Sequence, residues 1–146
     1  MIPPLDQLAC TPGALHALLF SADGGSLSSS DGVPAHTAER VAAALSSMQA
    51  ASRHASALCS AEGASWKQAW IQFGDTCLHL FAAGSHTYIA VAVTKDADMN
   101  LIADNTGVAL KQLRCHQWEW PHELDTQFFQ PQRFLDRRSA NPRCSA

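Results

Sequence analysis

LHALLFSADGGSLSSS, residues 15–30, decides the architecture of this chain. An apolar β-type run, Leu15 to Phe20, meets Asp23-Gly24, a dipeptide suited to the positive φ angles of a type I′ turn. The chain then returns through the short polar segment Ser26 to Ser30, so the stretch reads as a β-hairpin. The second arm offers a core little beyond Leu27 and belongs at a sheet edge.

A long helix follows Gly32-Val33 and runs to about Leu58, with Pro34 tolerated in its first turn and Glu39 close to its positive end. Ala38, Val41, Leu45, Met48, Ser52, Ala55 and Cys59 recur in steps of three and four and form the stripe expected to face a core. About half a turn away stand His36, Arg40, Ala43, Ser47, Ala50, His54 and Ala57, a face with one fixed charge. Two readings of that face are open. Small residues allow a second helix to approach, and interface centres are poor in charge. Alanine is also the best helix former and occupies exposed faces for that reason alone.

Beyond the helix lie three strands. In Ser65 to Phe73, Trp66, Gln68, Trp70 and Gln72 alternate with Lys67, Ala69, Ile71 and Phe73, so both faces carry bulk. Gly74-Asp75 turns the chain into Thr76 to Ala83, and Gly84-Ser85 turns it into His86 to Thr94, the most apolar and most central strand. Asp96 or Asp98 caps a closing helix with Leu101, Ile102, Val108, Ala109 and Leu113 on its apolar face. A helical turn at Leu5 to Leu8 precedes the first strand. The order is ββαβββα, an α/β (α+β) domain over residues 1–113 with a different extension at 114–146.

Several residues together resemble the Roadblock/dynein light chain 7 family, in particular its bacterial, actinobacterial-type members. They are Pro12-Gly13 leading into an apolar strand, the Ser21-Ala22-Asp23-Gly24 turn, the helix Thr37-Ala38-Glu39-Arg40-Val41-Ala42-Ala43, the strand pair around Gly74-Asp75, and Asp96-Ala97-Asp98-Met99-Asn100-Leu101-Ile102. The resemblance covers residues 5 to 113 and lies in order and spacing, since no single motif is specific. Two departures stand at its edges: family members often begin with a longer first helix than Ile2 to Ala9 allows, and many carry Gly near Asn100. The resemblance implies a profilin-like fold, a five-stranded antiparallel sheet with the long helix on one face and the terminal helices on the other. It also implies a homodimer built from the long helices and the strands after them, and a non-enzymatic role in regulating or anchoring a small Ras-like GTPase. Similar actinobacterial proteins are encoded beside such a GTPase and a sensor-kinase-like protein, a further implied partner. Arg40, Ala43, Ser47, Ala50, His54, Trp66, Gln68 and Trp70 are then the dimer or partner interface, because an isologous contact buries helix face and strand together. A profilin-like sensing or scaffold module with no GTPase in its pathway is the alternative.

The chemistry of the chain points away from catalysis. Cys77-x-His79 and Cys115-His116 with His122 set thiols near imidazoles without metal-ligand spacing, and His16, His36, His54 and His86 have no nearby carboxylate with which to build a triad. Gly24-Gly25 lacks the following helix and lysine of a phosphate loop. No cofactor or metal is expected, and a small thiol enzyme is the remote third reading. If GTP hydrolysis were accelerated through an arginine finger, only Arg40 and Arg53 precede the tail, and Arg40 is the better placed.

At 146 residues and 47% hydrophobic content the chain can bury a real core. Residues 1–113 hold five Lys/Arg and nine Asp/Glu, a net −4, which disfavours nucleic acid as a partner. No apolar run long enough to cross a bilayer occurs, and no leader pattern opens the chain, so the expected place is the cytoplasm, with any membrane association through partners. Five cysteines show no disulfide framework. The extension carries three prolines, Arg137-Arg138 and the aromatics Trp118, Trp120, Phe128, Phe129 and Phe134, with a short helix expected near Leu124 to Phe129. That many aromatics exceed what a solvated linker needs, which leaves docking on its own domain, docking on a partner, and disorder as three open readings.

Overall fold

The computed structural model describes residues 3–115 and Phe129. The elements are α1 (Pro4–Ala9), β1 (Ala14–Ser21), β2 (Ser26–Ser29), α2 (Ala35–Ser52), a 3-10 helix (Arg53–Cys59), β3 (Gln68–Phe73), β4 (Thr76–Ala82), β5 (Thr87–Thr94) and α3 (Met99–Arg114). All strands pair antiparallel in the order β2-β1-β5-β4-β3, so β5 is central and β2 and β3 form the two edges.

Strand alternation divides the molecule into three layers. Leu18 and Phe20 of β1, Leu80 and Ala82 of β4, and Tyr88 and Ala90 of β5 pack against Ala38, Ala42 and Leu45 of α2. On the other side Ala17, Leu19, Phe81, Ile89, Val91 and Val93 meet Leu5 and Leu8 of α1 and Ile102, Ala109, Leu110 and Leu113 of α3. The expected fold class is therefore the observed one. Asp98 caps α3 by accepting from the Asn100 and Leu101 backbone N–H groups at 3.0 and 3.3 Å. Asn105 Nδ2 donates to Thr11 Oγ1 at 2.9 Å and ties α3 to the turn before β1.

Four local expectations need correction. The hairpin is not a two-residue type I′ turn: four residues separate β1 from β2, and among the described non-glycine residues only Ser60 has positive φ, so Asp23 does not. Asp23 instead accepts from Ser21 Oγ and, at 3.1 Å, from the Gly25 backbone N–H, while Gly24 alone takes the left-handed conformation, with φ 93°. The side-chain bonds of the aspartate favour this wider turn.

The α-helix stops at Ser52, and the segment to Cys59 is a 3-10 helix with no buried residue, Leu58 being 94% exposed. Ser52 Oγ donates to the Gln49 carbonyl at 2.8 Å, a local bond that competes with continued α-helix, and Ala55 and Cys59 therefore leave the predicted stripe. Strand β3 begins at Gln68 rather than Ser65, and Trp66 turns to the α2 side, edge-on to Tyr88 at 5.5 Å. In α3 the buried face runs through Ile102, Ala103, Thr106, Ala109, Leu110 and Leu113, leaving Leu101 and Val108 exposed.

Candidate interaction face

The buried face of α2 shares Ala38 and Leu45 with the stripe its apolar periodicity marks, and Val41 and Met48 pack at the margin of the same core. Ala38, Ala42, Leu45, Ser46 and Gln49 are buried, whereas Val41 and Met48 are only half-buried. At about 100° per residue, the buried stripe is rolled by about 60° from the apolar one. The β1–β2 hairpin packs on that side of the helix. A Cβ on Gly24 would stand 3.3 Å from Ser46 Oγ and 3.5 Å from Ala43 Cα, so the hairpin tip closes on the small side of the helix. Small residues permit the close approach; larger ones are left on the other flank.

That flank overhangs a groove of about 440 Å³ between α2 and the sheet. Thr37, Val41 and Ala44 form its helix wall, Leu78 and the short side chains Ala90 and Ala92 its floor, and Phe73, 61% exposed, its far rim. Nothing among the described residues fills it. At one end the groove reaches Phe73 of β3, one of the two sheet edges. Trp70, on the opposite face of the same strand, is 41% exposed and stands edge-on to His79 at 5.1 Å.

The expected interface residues divide into groups. Arg40, Ala43, Ser47 and Ala50 are exposed on the far side of α2 and His54 is exposed on the 3-10 helix that follows, although Ala43 lies against the hairpin tip. Gln68 and Trp70 sit on the β3 edge, and the Gln68 side-chain oxygen is buried without a hydrogen-bond partner. Trp66 belongs to neither group. Its Nε1–H donates to Ser52 Oγ at 2.8 Å, and it helps to clamp the end of α2 together with Arg53, whose guanidinium donates to Tyr88 Oη at 2.7 Å. Val41, Ala44, Phe73, Leu78 and Ala92 had no separate sequence signal, because their groove arises from the roll of α2.

The thiol–imidazole pair of β4 lies in the core. Cys77 and His79 are both buried on the α3 side, and His79 stacks on Phe81 with ring centroids 4.0 Å apart. Burial lowers the His79 pKa from 6.5 to about 4, so the ring is neutral near pH 7. Cys10, Cys59 and Cys115 are exposed thiols, and among the described residues no group of three His, Cys, Asp or Glu could hold a metal. His116, His122, the expected tail helix before Phe129 and the tail aromatics other than Phe129 lie outside the described residues. No helix among the described residues is long and apolar enough to cross a membrane.

The sequence profile described as the Roadblock/LC7 domain matches residues 5–93. The chain belongs to the Roadblock/LC7 family. Among solved structures, this Roadblock/LC7 domain is similar to one from Streptomyces avermitilis at 25% identity and a TM-score of 0.70, covering 79% of this chain and 95% of that one. It shares its fold with Myxococcus xanthus MglB, at 15% identity and a TM-score of 0.67 over 80% and 94% of the two chains. Acanthamoeba castellanii profilin IA follows at 11% identity, a TM-score of 0.50, and 75% and 92% coverage, a likeness of fold alone. No curated protein matches in sequence.

Proposed function

We propose that this Roadblock/LC7 domain works as a homodimer that binds a small Ras-like GTPase and regulates or anchors it by binding rather than by catalysis. The observation that carries the reading is the apolar flank of α2. Val41 and Ala44 with Leu78, Ala92 and Phe73 make a continuous apolar surface beside an open sheet edge. A second copy related by a two-fold axis would cover helix flank and edge strand at once. Family membership supplies the GTPase, as the partner the resemblance implies.

An arginine finger is not needed for this role. Arg53 is engaged with Tyr88 at the end of α2, and Arg40 lies exposed amid small residues. A binder that prefers one nucleotide state shifts the GTPase toward that state by its differential affinity alone. The alternative, a sensing module without a GTPase, has one observation in its favour: an apolar groove of about 440 Å³ is in the size range of small-ligand sites.

Affinity capture from the native lysate, with a non-hydrolysable GTP analogue or GDP, decides between them. A Ras-like protein enriched in one nucleotide state supports the regulator. Its absence from both favours the sensing module.

A further inference from the structure

On the sheet face away from α2, a residue from far along the chain has a defined place. Phe129 is half-buried against the α1/α3 core, its ring 5.2 Å from that of Phe81 at an interplanar angle of 62°. It also meets α3 at an unusual position. Gly107 lies in the helix interior, where glycine is the poorest choice short of proline. Its backbone does not take positive φ, so no special conformation calls for glycine there. What it provides is room, since a Cβ on Gly107 would come within 3.1 Å of Phe129 Cε1. Ring and notch are complementary, and both lie beyond residue 93, where the family match ends.

We propose that the C-terminal extension docks in cis through Phe129, whose ring fills a notch formed by Gly107 of α3 and Phe81 of β4. The occupant is this chain itself, because its own residue is seated there. Phe129 ends a row of contacting rings that runs through Phe81 and His79 to Trp70 at the sheet edge. The row lies on the opposite side of the sheet from α2 and the groove. Seating of Phe129 and self-association through α2 therefore do not compete for the same surface.

Limited trypsin digestion of the full chain tests this, with cleavage after Arg133, four residues past the anchor, followed by mass spectrometry. Phe129→Ala should speed that cleavage at least tenfold, and Phe128→Ala should not. Gly107→Leu, which places a better helix former in the notch, should also speed it at least tenfold while the thermal midpoint is kept, which separates release of the extension from unfolding. Equal rates in wild type and Phe129→Ala, or an equal effect of Phe128→Ala, would overturn the assignment. Protection in the wild type should not change over a hundredfold range of protein concentration. Loss of protection on dilution would mean that the ring comes from a second copy, and docking in cis would fall.

Discussion

Acidification should destabilise the domain through His79, by an amount that the structure sets. The imidazole is 1% exposed, edge-on to Trp70 and stacked on Phe81. Its pKa falls from 6.5 in the unfolded chain to about 4 in the fold because burial penalises the charged form. Between those limits the unfolded state binds a proton that the folded state does not. Stability contributed by neutral His79 is therefore complete above pH 6.5, declines as pH falls toward 4, and is level below that. The interval corresponds to about 3 kcal/mol, a large part of the roughly 5–15 kcal/mol that holds a domain of this size.

Aspartates and glutamates titrate over part of the same range, so a difference measurement isolates the histidine. Urea denaturation from pH 7.5 to 4 should show wild type losing stability faster than His79→Phe, which keeps a ring in the stack and carries no titratable group. The gap between the two curves should open below pH 6.5 and approach about 3 kcal/mol near pH 4. Parallel curves would refute the reasoning, as would a His79 midpoint near 6.5 by proton NMR of the folded protein.

Three further outcomes follow from the geometry. Ser47→Glu, on the exposed face of α2, should weaken self-association at least tenfold by sedimentation while monomer unfolding is unchanged; a two-fold contact would bring two such charges together. Ala43→Glu is the poorer test of that face, because Ala43 already abuts the hairpin at Gly24. Gly13→Ala should cost about 2 kcal/mol in urea titrations, since Gly13 has φ 87° and a Cβ there would stand 2.5 Å from Ala97 Cβ. The double variant with Ala97→Gly should recover part of that loss. Ser60→Gly should raise stability by about 1 kcal/mol by thermal denaturation, because Ser60 closes the 3-10 helix in the left-handed region with φ 53° and ψ 38°.

The layers of the fold were legible because each rests on a local pattern that the tertiary structure does not contradict. Alternation in β4 and β5 with glycine turns between strands sets a meander, and a polar β2 can lie only at an edge. Boundaries were less legible, because they are chosen by side-chain hydrogen bonds and ring contacts, some local and some distant in the sequence. At the helix end, Ser52 both donates to the Gln49 carbonyl and accepts from Trp66, and Trp66 in turn packs on Tyr88, more than twenty residues further on. Likewise, Asp23-Gly24 marks a turn correctly, but the Ser21 hydroxyl and the Asp23 carboxylate choose its type.

The interaction face shows the same limit most clearly. Periodicity alone sends Val41 and Met48 to the core, and a monomer that obeyed it would bury them. The Ala42–Ser46 side, on which the hairpin tip packs, faces inward beside Leu45, and Val41 stays half-buried at the groove. Such an arrangement leaves apolar surface uncovered in a lone chain, and the homodimer proposed above would cover it. The roll of α2, which fixes how much of Val41 and Met48 stays uncovered, is read from the packed structure and not from the helix's own periodicity.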